Sequence, residues 1–166
     1  TKDTTTSTTT TQTTKSDVEF SENIPYKSNY VLPLDTAILK DFSDNEIVYN
    51  KTTDDWRVHN AIDFSGALGS NIKAIISGVV LKVYDDTVWG KVVEVNHGNG
   101  LVAKYCGLKD VTVKKDAKLT QGQVIGKLGT VPIENTEVAH LHFETILDGI
   151  AVDPLAVMGK DGEKPQ

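Results

Sequence analysis

Short runs of β-branched and aromatic residues, broken by Gly, Asn and Asp about every ten residues, constrain the fold of this chain most strongly. Asn-Gly in HGNG (His97–Gly100) and Asp-Gly in LDG (Leu147–Gly149) predict tight hairpin turns, because these pairs adopt positive φ at little cost. Only PLDTAILKDFSD (33–44) could form a short helix. The pattern predicts an all-β domain, with strands within NIKAIISGVVLKVYDD, GKVVEVNHGNGLVAKYCGL, QVIGKLG and LHFETILDGIAV.

The first residues have a different composition from the rest of the chain. Residues 1–16 are almost entirely Thr, Ser and other polar residues, so ordering them would not be offset by burial of apolar surface. Pro25 and Pro33 favour an extended connection. We therefore expect a flexible Thr-rich stalk at 1–27 and one folded domain at 28–166.

Charge and composition exclude several function classes. The net charge is −6 and the pI is about 5.1, which argues against a broad nucleic-acid-binding face. A single cysteine, Cys106, excludes an internal disulfide. No apolar run reaches the roughly 18–20 residues that span a bilayer. Because the sequence begins at Thr1 rather than Met, we expect an upstream membrane anchor to be missing from it.

Three histidines and one aspartate carry the possible chemistry. His59 and Asp63 are four residues apart, and His140 and His142 are two apart in a predicted strand, so the latter pair should share one face. A catalytic zinc takes three protein ligands and keeps a fourth position for water, and two His plus one Asp satisfy that count. Each pattern alone is also typical of hydrogen-bonded polar residues. The residues by themselves leave both interpretations open.

A longer ordered pattern adds weight to the metal interpretation. HNAIDF, HGNGLVAKY, GQVIGKLG, HLHFE and DPL occur in order between Trp56 and Met158. In this order they resemble the LytM/lysostaphin-type zinc endopeptidases, the peptidase M23 family. The resemblance implies a LytM-like antiparallel β-sheet with a groove, a Zn²⁺ held by His59, Asp63 and His142, and cleavage of peptide cross-bridges in bacterial cell walls. It also implies that His140 is catalytic, facing the zinc-bound water.

The chain departs from the family at a second catalytic histidine. The family usually carries Tyr-x-His-Leu, whereas this chain reads Tyr105–Cys106–Gly107–Leu108. Glycine has no side chain to donate a hydrogen bond or accept a proton, and removing one such group typically costs on the order of 10²–10³ in rate. Cys106 should point to the opposite face by strand alternation. The hydrolytic activity is therefore in question while the metal ligands are kept.

The remaining aromatic rings and the fourth histidine suggest no further site. We expect His97 to be a solvated turn residue. Tyr105 could line the groove or pack across strands. Trp56 and Trp89 suit packing, or the rim of a binding surface.

Within the family, the chain resembles a group that acts in sporulation engulfment. That resemblance implies a domain anchored in the forespore membrane and lying in the intermembrane space. There it would bind a mother-cell membrane protein resembling stage III sporulation protein AH and form a ring or channel, with hydrolysis weak or absent. The alternative is an active zinc-dependent peptidoglycan endopeptidase. A carrier domain of the biotinyl/lipoyl type, suggested by GQVIG, lacks a lysine in a suitable turn.

Overall fold

The computed structural model describes residues 30–43 and 45–159. The predicted stalk and the predicted domain start at residue 28 lie outside the described residues. Twelve strands and two short helices follow one another along the described part. They are β1 (Ile38–Lys40), β2 (Ile47–Asn50), β3 (Asp55–Val58), β4 (Ile62–Ser65), β5 (Asn71–Lys73), β6 (Gly78–Asp86), β7 (Gly90–Gly98), β8 (Leu101–Lys109), β9 (Lys118–Leu119), β10 (Val124–Leu128), a 3₁₀ helix (Pro132–Glu134), β11 (His140–Leu147), β12 (Ile150–Val152) and α1 (Pro154–Val157).

Ten of these strands form one antiparallel sheet. Its main path runs β1-β4-β11-β8-β7-β6-β9, while β10 pairs with β5 and β8 and β12 pairs with β11. The predicted all-β architecture is confirmed. Within the described ranges, no helix is long and apolar enough to cross a lipid bilayer.

Both predicted hairpin turns are confirmed. Asn99 and Gly100 connect β7 to β8 with φ of 50° and 80°, and Asp148 and Gly149 connect β11 to β12 with φ of 48° and 83°. Positive φ at both central residues matches the right-handed twist of the flanking strands. The second turn sets the register between β12 and β11, the strand that carries the HxH pair.

The possible helix at 33–44 is wrong. Residues Ile38–Lys40 form β1, which pairs with β4 through Ile38↔Phe64 and Lys40↔Asp63. The backbone groups of this segment are satisfied by a neighbouring strand that is distant in sequence, and such tertiary pairing overrides weak local propensity. The pairing places Lys40 beside Asp63.

His97 and Tyr105 both lie in the core. His97 is buried rather than solvated, and its Nδ1 lies 2.9 Å from the carbonyl oxygen of Ser77. Burial lowers the pKa of His97 to about 4, although the hydrogen bond to Ser77 acts in the opposite direction. Tyr105 packs in the core against Phe143, with ring centroids 5.0 Å apart, and does not line the groove.

Strands β2 and β3 form a separate hairpin with one exposed apolar face. Ile47 pairs with Val58, and Tyr49 pairs with Trp56 at a ring separation of 5.6 Å. All four side chains are exposed, Trp56 to 65%. A contiguous exposed apolar face of this kind often marks an interaction surface.

Candidate metal centre

Three adjacent strands bring side chains of the candidate site together. Asp63 on β4 lies directly opposite Lys40 on β1 and His142 on β11. Residues directly opposite one another present their side chains to the same face of a sheet. Strand pairing thus accounts for the meeting of residues that are 79 positions apart in sequence.

His59 reaches this face from the connection between β3 and β4. Its backbone N–H donates to Ser43 Oγ at 2.9 Å, and its carbonyl accepts from the Ser43 N–H at 2.8 Å. The ring Nδ1 lies 2.8 Å from the carbonyl oxygen of Asp41, which can only accept, so Nδ1 carries the proton. His59 Nε2 is then a free lone-pair donor aimed at Asp63.

The facing atoms of His59 and Asp63 lack hydrogen-bond partners. His59 Nε2 and Asp63 Oδ2 lie 3.1 Å apart, but their orientation does not make a hydrogen bond, and both atoms are buried. Buried polar atoms are normally satisfied, because leaving one unpaired costs about 1–3 kcal/mol. A cation between them would satisfy both atoms.

His142 is held on three sides. Its Nδ1 lies 2.9 Å from Asp63 Oδ1, and its Nε2 lies 3.4 Å from Glu144 Oε1. The indole of Trp89 stacks on the imidazole, with centroids 4.3 Å apart and planes 23° apart. A carboxylate on the second ring nitrogen is the usual arrangement that orients a metal-binding histidine. Trp89 therefore contacts the site, as the rim interpretation allowed.

Electrostatics in the site favour a protonated His142 and an ionised Asp63. Burial acts to lower the pKa of His142, but hydrogen bonds to Asp63 and Glu134 raise it well above its ordinary value. Burial likewise acts to raise the pKa of Asp63, but the hydrogen bond with His142 and the close approach of the His59 imidazole lower it to about 2. Metal ligands bind deprotonated, so a cation at His142 Nδ1 would displace a proton.

Glu134 is a site residue that the sequence did not reveal. It ends the 3₁₀ helix, is 3% exposed, and places Oε2 3.0 Å from His140 Nε2 and 3.5 Å from His142 Nδ1. His140 Nδ1 lies 2.8 Å from the Val138 carbonyl oxygen. Burial opposes protonation of His140, but its hydrogen bond with Glu134 raises its pKa. His140 thus faces a carboxylate of its own chain.

Lys40 supplies the cation that balances part of this negative charge. Its Nζ donates to Glu134 Oε1 at 2.7 Å and lies 3.1 Å from Glu137 Oε1 and 3.5 Å from Asp63 Oδ2. Desolvation acts to lower the pKa of Lys40, but these carboxylates raise it. The amine therefore stays charged and holds Glu134 in place.

Gly107 lies in a β-bulge and not at a regular strand position. Lys91 pairs with Leu108 and Val92 pairs with Cys106, which leaves Gly107 as the extra residue, with φ of 82°. A Cβ at Gly107 would lie 2.6 Å from Val131 Cγ2. Val131 thus occupies the space into which a side chain at position 107 would project.

The bulge also corrects the expectation for Cys106. This residue lies directly opposite His142 on β11, so its side chain shares the face of the site. Cys106 is fully buried, and burial together with Glu144 raises the pKa of its thiol well above the ordinary value. Cys106 is not among the clustered donor residues of the described part of the chain, and a neutral thiol does not readily accept a proton, so we do not assign it the role of the missing histidine.

The structure brings the four predicted site residues together. His59, Asp63 and His142 cluster with Glu134, and His140 contacts Glu134. The groups that could hold a metal ion are His59, Asp63, Glu134 and His142, each offering one donor atom, with these atoms within 4.8 Å of one another. Imidazole nitrogens and carboxylate oxygens are suitable donors for zinc, and two orphaned donor atoms already face the centre. The site opens on a groove of about 330 Å³ whose lining includes Arg57, Trp89 and Glu144.

Comparison with known proteins places this site in a family. The family model for Peptidase family M23 matches residues 57–154, more than half of the chain. Stage II sporulation protein Q of Bacillus subtilis is 38% identical over 116 residues, covering 69% of this chain and 40% of that protein. The peptidoglycan DD-endopeptidase ShyA of Vibrio cholerae is 32% identical over 97 residues, covering 58% of this chain and 22% of that protein. The chain thus spans less than half the length of either relative.

A solved structure agrees with the sequence matches. A chain of the SpoIIIAH and SpoIIQ complex superposes with a TM-score of 0.67 at 32% identity, covering 76% of this chain and 98% of that one. The predicted LytM-like fold is confirmed by these likenesses. Because the family model matches more than half of the chain and spans His59, Asp63, His140 and His142, the chain belongs to peptidase family M23.

Proposed function

We propose that this chain is the zinc-binding, LytM-like part of a sporulation engulfment protein with weak or absent hydrolytic activity. It is anchored in the forespore membrane and binds, across the intermembrane space, a mother-cell membrane protein resembling stage III sporulation protein AH, so that the two form a ring or channel. Two observations support the proposal. Stage II sporulation protein Q is 38% identical over 116 residues, and its solved complex with SpoIIIAH contains a chain of similar fold.

In this proposal the metal is held by the predicted triad of His59, Asp63 and His142. When bound, zinc supplies Lewis-acid chemistry. The chain's own residues prepare the site: the Asp41 carbonyl fixes the His59 tautomer, and Glu144 orients His142 through Nε2. His140, the candidate catalytic group, is held by a hydrogen bond between its Nε2 and Glu134 Oε2.

Gly107 is the observation that carries the proposal of weak hydrolysis. The family's second catalytic histidine is absent there, and the backbone has a φ of 82° that disfavours any side chain. Val131 fills the adjacent space, at 2.6 Å from a Cβ built on Gly107. A catalytic group at this position has therefore been lost together with the room for it.

The hairpin of β2 and β3 offers a surface for the partner protein. Its apolar face consists of two cross-strand pairs on the same side of the hairpin, Tyr49 with Trp56 and Ile47 with Val58. Trp and Tyr are the residues most often found to dominate binding energy at protein interfaces. We propose that this face contacts the partner resembling stage III sporulation protein AH.

The proposal is tested by measuring binding and hydrolysis on the same zinc-loaded chain. We expect saturable binding to the extracytoplasmic domain of the SpoIIIAH homologue from the same organism, measured by calorimetry. We expect release of fragments from purified peptidoglycan at least about 100-fold slower than by an active LytM-type endopeptidase. Hydrolysis at the rate of that enzyme, abolished by His140→Ala, would establish the endopeptidase alternative instead.

A separate pair of variants tests the hairpin surface. Trp56→Ser should weaken partner binding by at least about tenfold, since truncation of a central aromatic hot-spot residue typically costs about 2 kcal/mol or more. Leu68→Ser is the matched control, because Leu68 is an apolar residue of similar exposure, 60%, outside the hairpin. If Trp56→Ser binds as tightly as Leu68→Ser, the partner docks on another surface.

A further inference from the structure

Glu134 belongs to no part of the predicted triad, yet it is buried among its members. Its Oε2 lies 3.5 Å from His142 Nδ1, and its Oε1 is fixed by Lys40 at 2.7 Å. A glutamate is almost never fully buried unless it is paired or coordinates a metal. Lys40 pairs with Oε1, while Oε2 is hydrogen-bonded to His140 Nε2 at 3.0 Å and also faces His142 Nδ1 in the predicted triad.

The spacing of the donor atoms suits four protein ligands. Ligands about 2.0–2.2 Å from a tetrahedral zinc lie about 3.4 Å from one another. His59 Nε2 and Asp63 Oδ2 are 3.1 Å apart, and Glu134 Oε2 and His142 Nδ1 are 3.5 Å apart. All four donor atoms fall within 4.8 Å. A closed tetrahedron therefore requires no pair of donor atoms to approach by more than about 1.4 Å.

The charge of the cluster suits a divalent cation. Lys40 contacts three carboxylates, those of Asp63, Glu134 and Glu137. Metal binding requires neutral imidazoles, and in that state the one positive and three negative groups leave an excess of two negative charges. Buried charge of one sign is costly unless it is compensated. A divalent cation bound by Asp63 and Glu134 neutralises this excess.

Two glycines lie against the segment that leads to Glu134. The segment that leads to it is tied to the β8 bulge through a 2.7 Å hydrogen bond from the Gly129 N–H to the Gly107 carbonyl. It is tied to the β6–β7 turn through the Ile133 N–H and the Val88 carbonyl, at 3.0 Å. A Cβ at Gly90 would lie 2.7 Å from the Thr130 carbonyl oxygen. Glycines at two facing positions therefore make room for this segment.

We propose that Glu134 is a fourth protein ligand of the metal, so that the site is closed. This inference rests on the proposed function, since it takes the predicted triad as metal ligands. A closed site with four protein ligands is the arrangement of structural zinc, whereas catalytic zinc keeps a position for water. The metal then stabilises the domain and has no position left for a substrate oxygen.

The experiment compares Glu134→Gln with Glu137→Gln in the full chain. Each change removes one negative charge beside Lys40, but only Glu134 offers a donor atom to the metal cluster. Zinc affinity is measured by competition with a chromophoric chelator, and coordination by visible absorption of the cobalt(II)-loaded protein. Glu134→Gln should lower zinc affinity by at least about tenfold more than Glu137→Gln does.

Added azide separates a closed site from an open one. The cobalt spectrum of the wild type and of Glu137→Gln should not respond to azide, whereas that of Glu134→Gln should. An azide response in the wild type, with equal zinc affinity in wild type and Glu134→Gln, would overturn the proposal. Unchanged zinc affinity with loss of residual hydrolysis in Glu134→Gln would also overturn it, and would make Glu134 a general base. Absence of zinc binding in the wild type, or of partner binding, counts against the proposed function instead.

Discussion

Replacing Gly107 with alanine should destabilise the domain through two separable terms. The backbone at Gly107 has φ of 82°, a conformation that costs an L-residue about 1–2 kcal/mol. The new methyl group would lie 2.6 Å from Val131 Cγ2 and 3.3 Å from the Thr130 carbonyl group, so these groups must shift. Overpacking of this kind typically costs about 1–3 kcal/mol. The expected loss in free energy of unfolding is about 2–5 kcal/mol.

Gly69→Ala provides the matched control for the backbone term. Gly69 has φ of 87°, close to that of Gly107, but a Cβ there would meet nothing within 4 Å. Urea denaturation of both variants, followed by circular dichroism, should show Gly107→Ala less stable than Gly69→Ala by the overpacking term alone. The double variant Gly107→Ala/Val131→Ala should recover part of that difference, measured as a coupling energy.

Gly107→His extends the test to function. The histidine restores the residue type that the family uses for catalysis, yet it enters a bulge whose adjacent space is filled by Val131. We expect a stability loss at least as large as that of alanine and no gain in peptidoglycan hydrolysis. Two results would refute the reasoning: equal stability of the Gly107→Ala and Gly69→Ala variants, or a folded Gly107→His protein that cleaves peptidoglycan.

The other predictions concern three side chains. His59→Ser should lose zinc on dialysis while the wild type retains it, because the predicted triad loses a ligand, and equal metal content by atomic emission would exclude His59 as a ligand. Trp89→Ala should weaken zinc binding in chelator competition by about tenfold, because Trp89 stacks on His142 and restricts its ring. His97→Gln should flatten the fall in unfolding free energy between pH 6.5 and 4. The wild-type imidazole stays neutral down to about pH 4 in the folded protein but binds a proton near pH 6.5 in the unfolded chain. Acidification from pH 6.5 to 4 therefore lowers the free energy of unfolding of the wild type by about 3 kcal/mol. A variant that keeps the full wild-type slope would contradict the prediction.

Local sequence signals predicted the elements that depend on local chemistry. The turns at Asn99–Gly100 and Asp148–Gly149 follow from residues that tolerate positive φ. The strand with His140 and His142 follows from alternation, which places both on one face. These local signals fail where contacts with residues distant in sequence decide the structure. Ile38–Lys40 form β1 because β4 lies beside them. His97, next to the turn, is buried by its contact with Ser77, 20 positions away.

Only part of the site could be predicted from the sequence, because contacts between residues distant in sequence form the rest. His59, Asp63 and His142 were singled out because a family pattern connects them, whereas their spacing alone left a metal site undecided. Glu134 stands in TVPIENTEVAH without periodicity or a recognisable spacing to His140, and nothing in that string marks it. Its contacts are made with residues 6, 8 and 94 positions away, through the fold of a short 3₁₀ turn.

Gly107 and Glu134 are best explained as one exchange. In the sequence, Gly107 is a substitution that removes a side chain, because the family carries histidine at this position. In three dimensions the glycine is a requirement, since its positive φ forms the bulge and its missing Cβ admits Val131. The segment that begins at Val131 then carries Glu134 to within 3.0 Å of His140. In the closed site that we propose, a carboxylate from a neighbouring loop takes the place of the histidine that the family carries on the strand, so introducing histidine at position 107 without moving Val131 and Glu134 should leave the site closed.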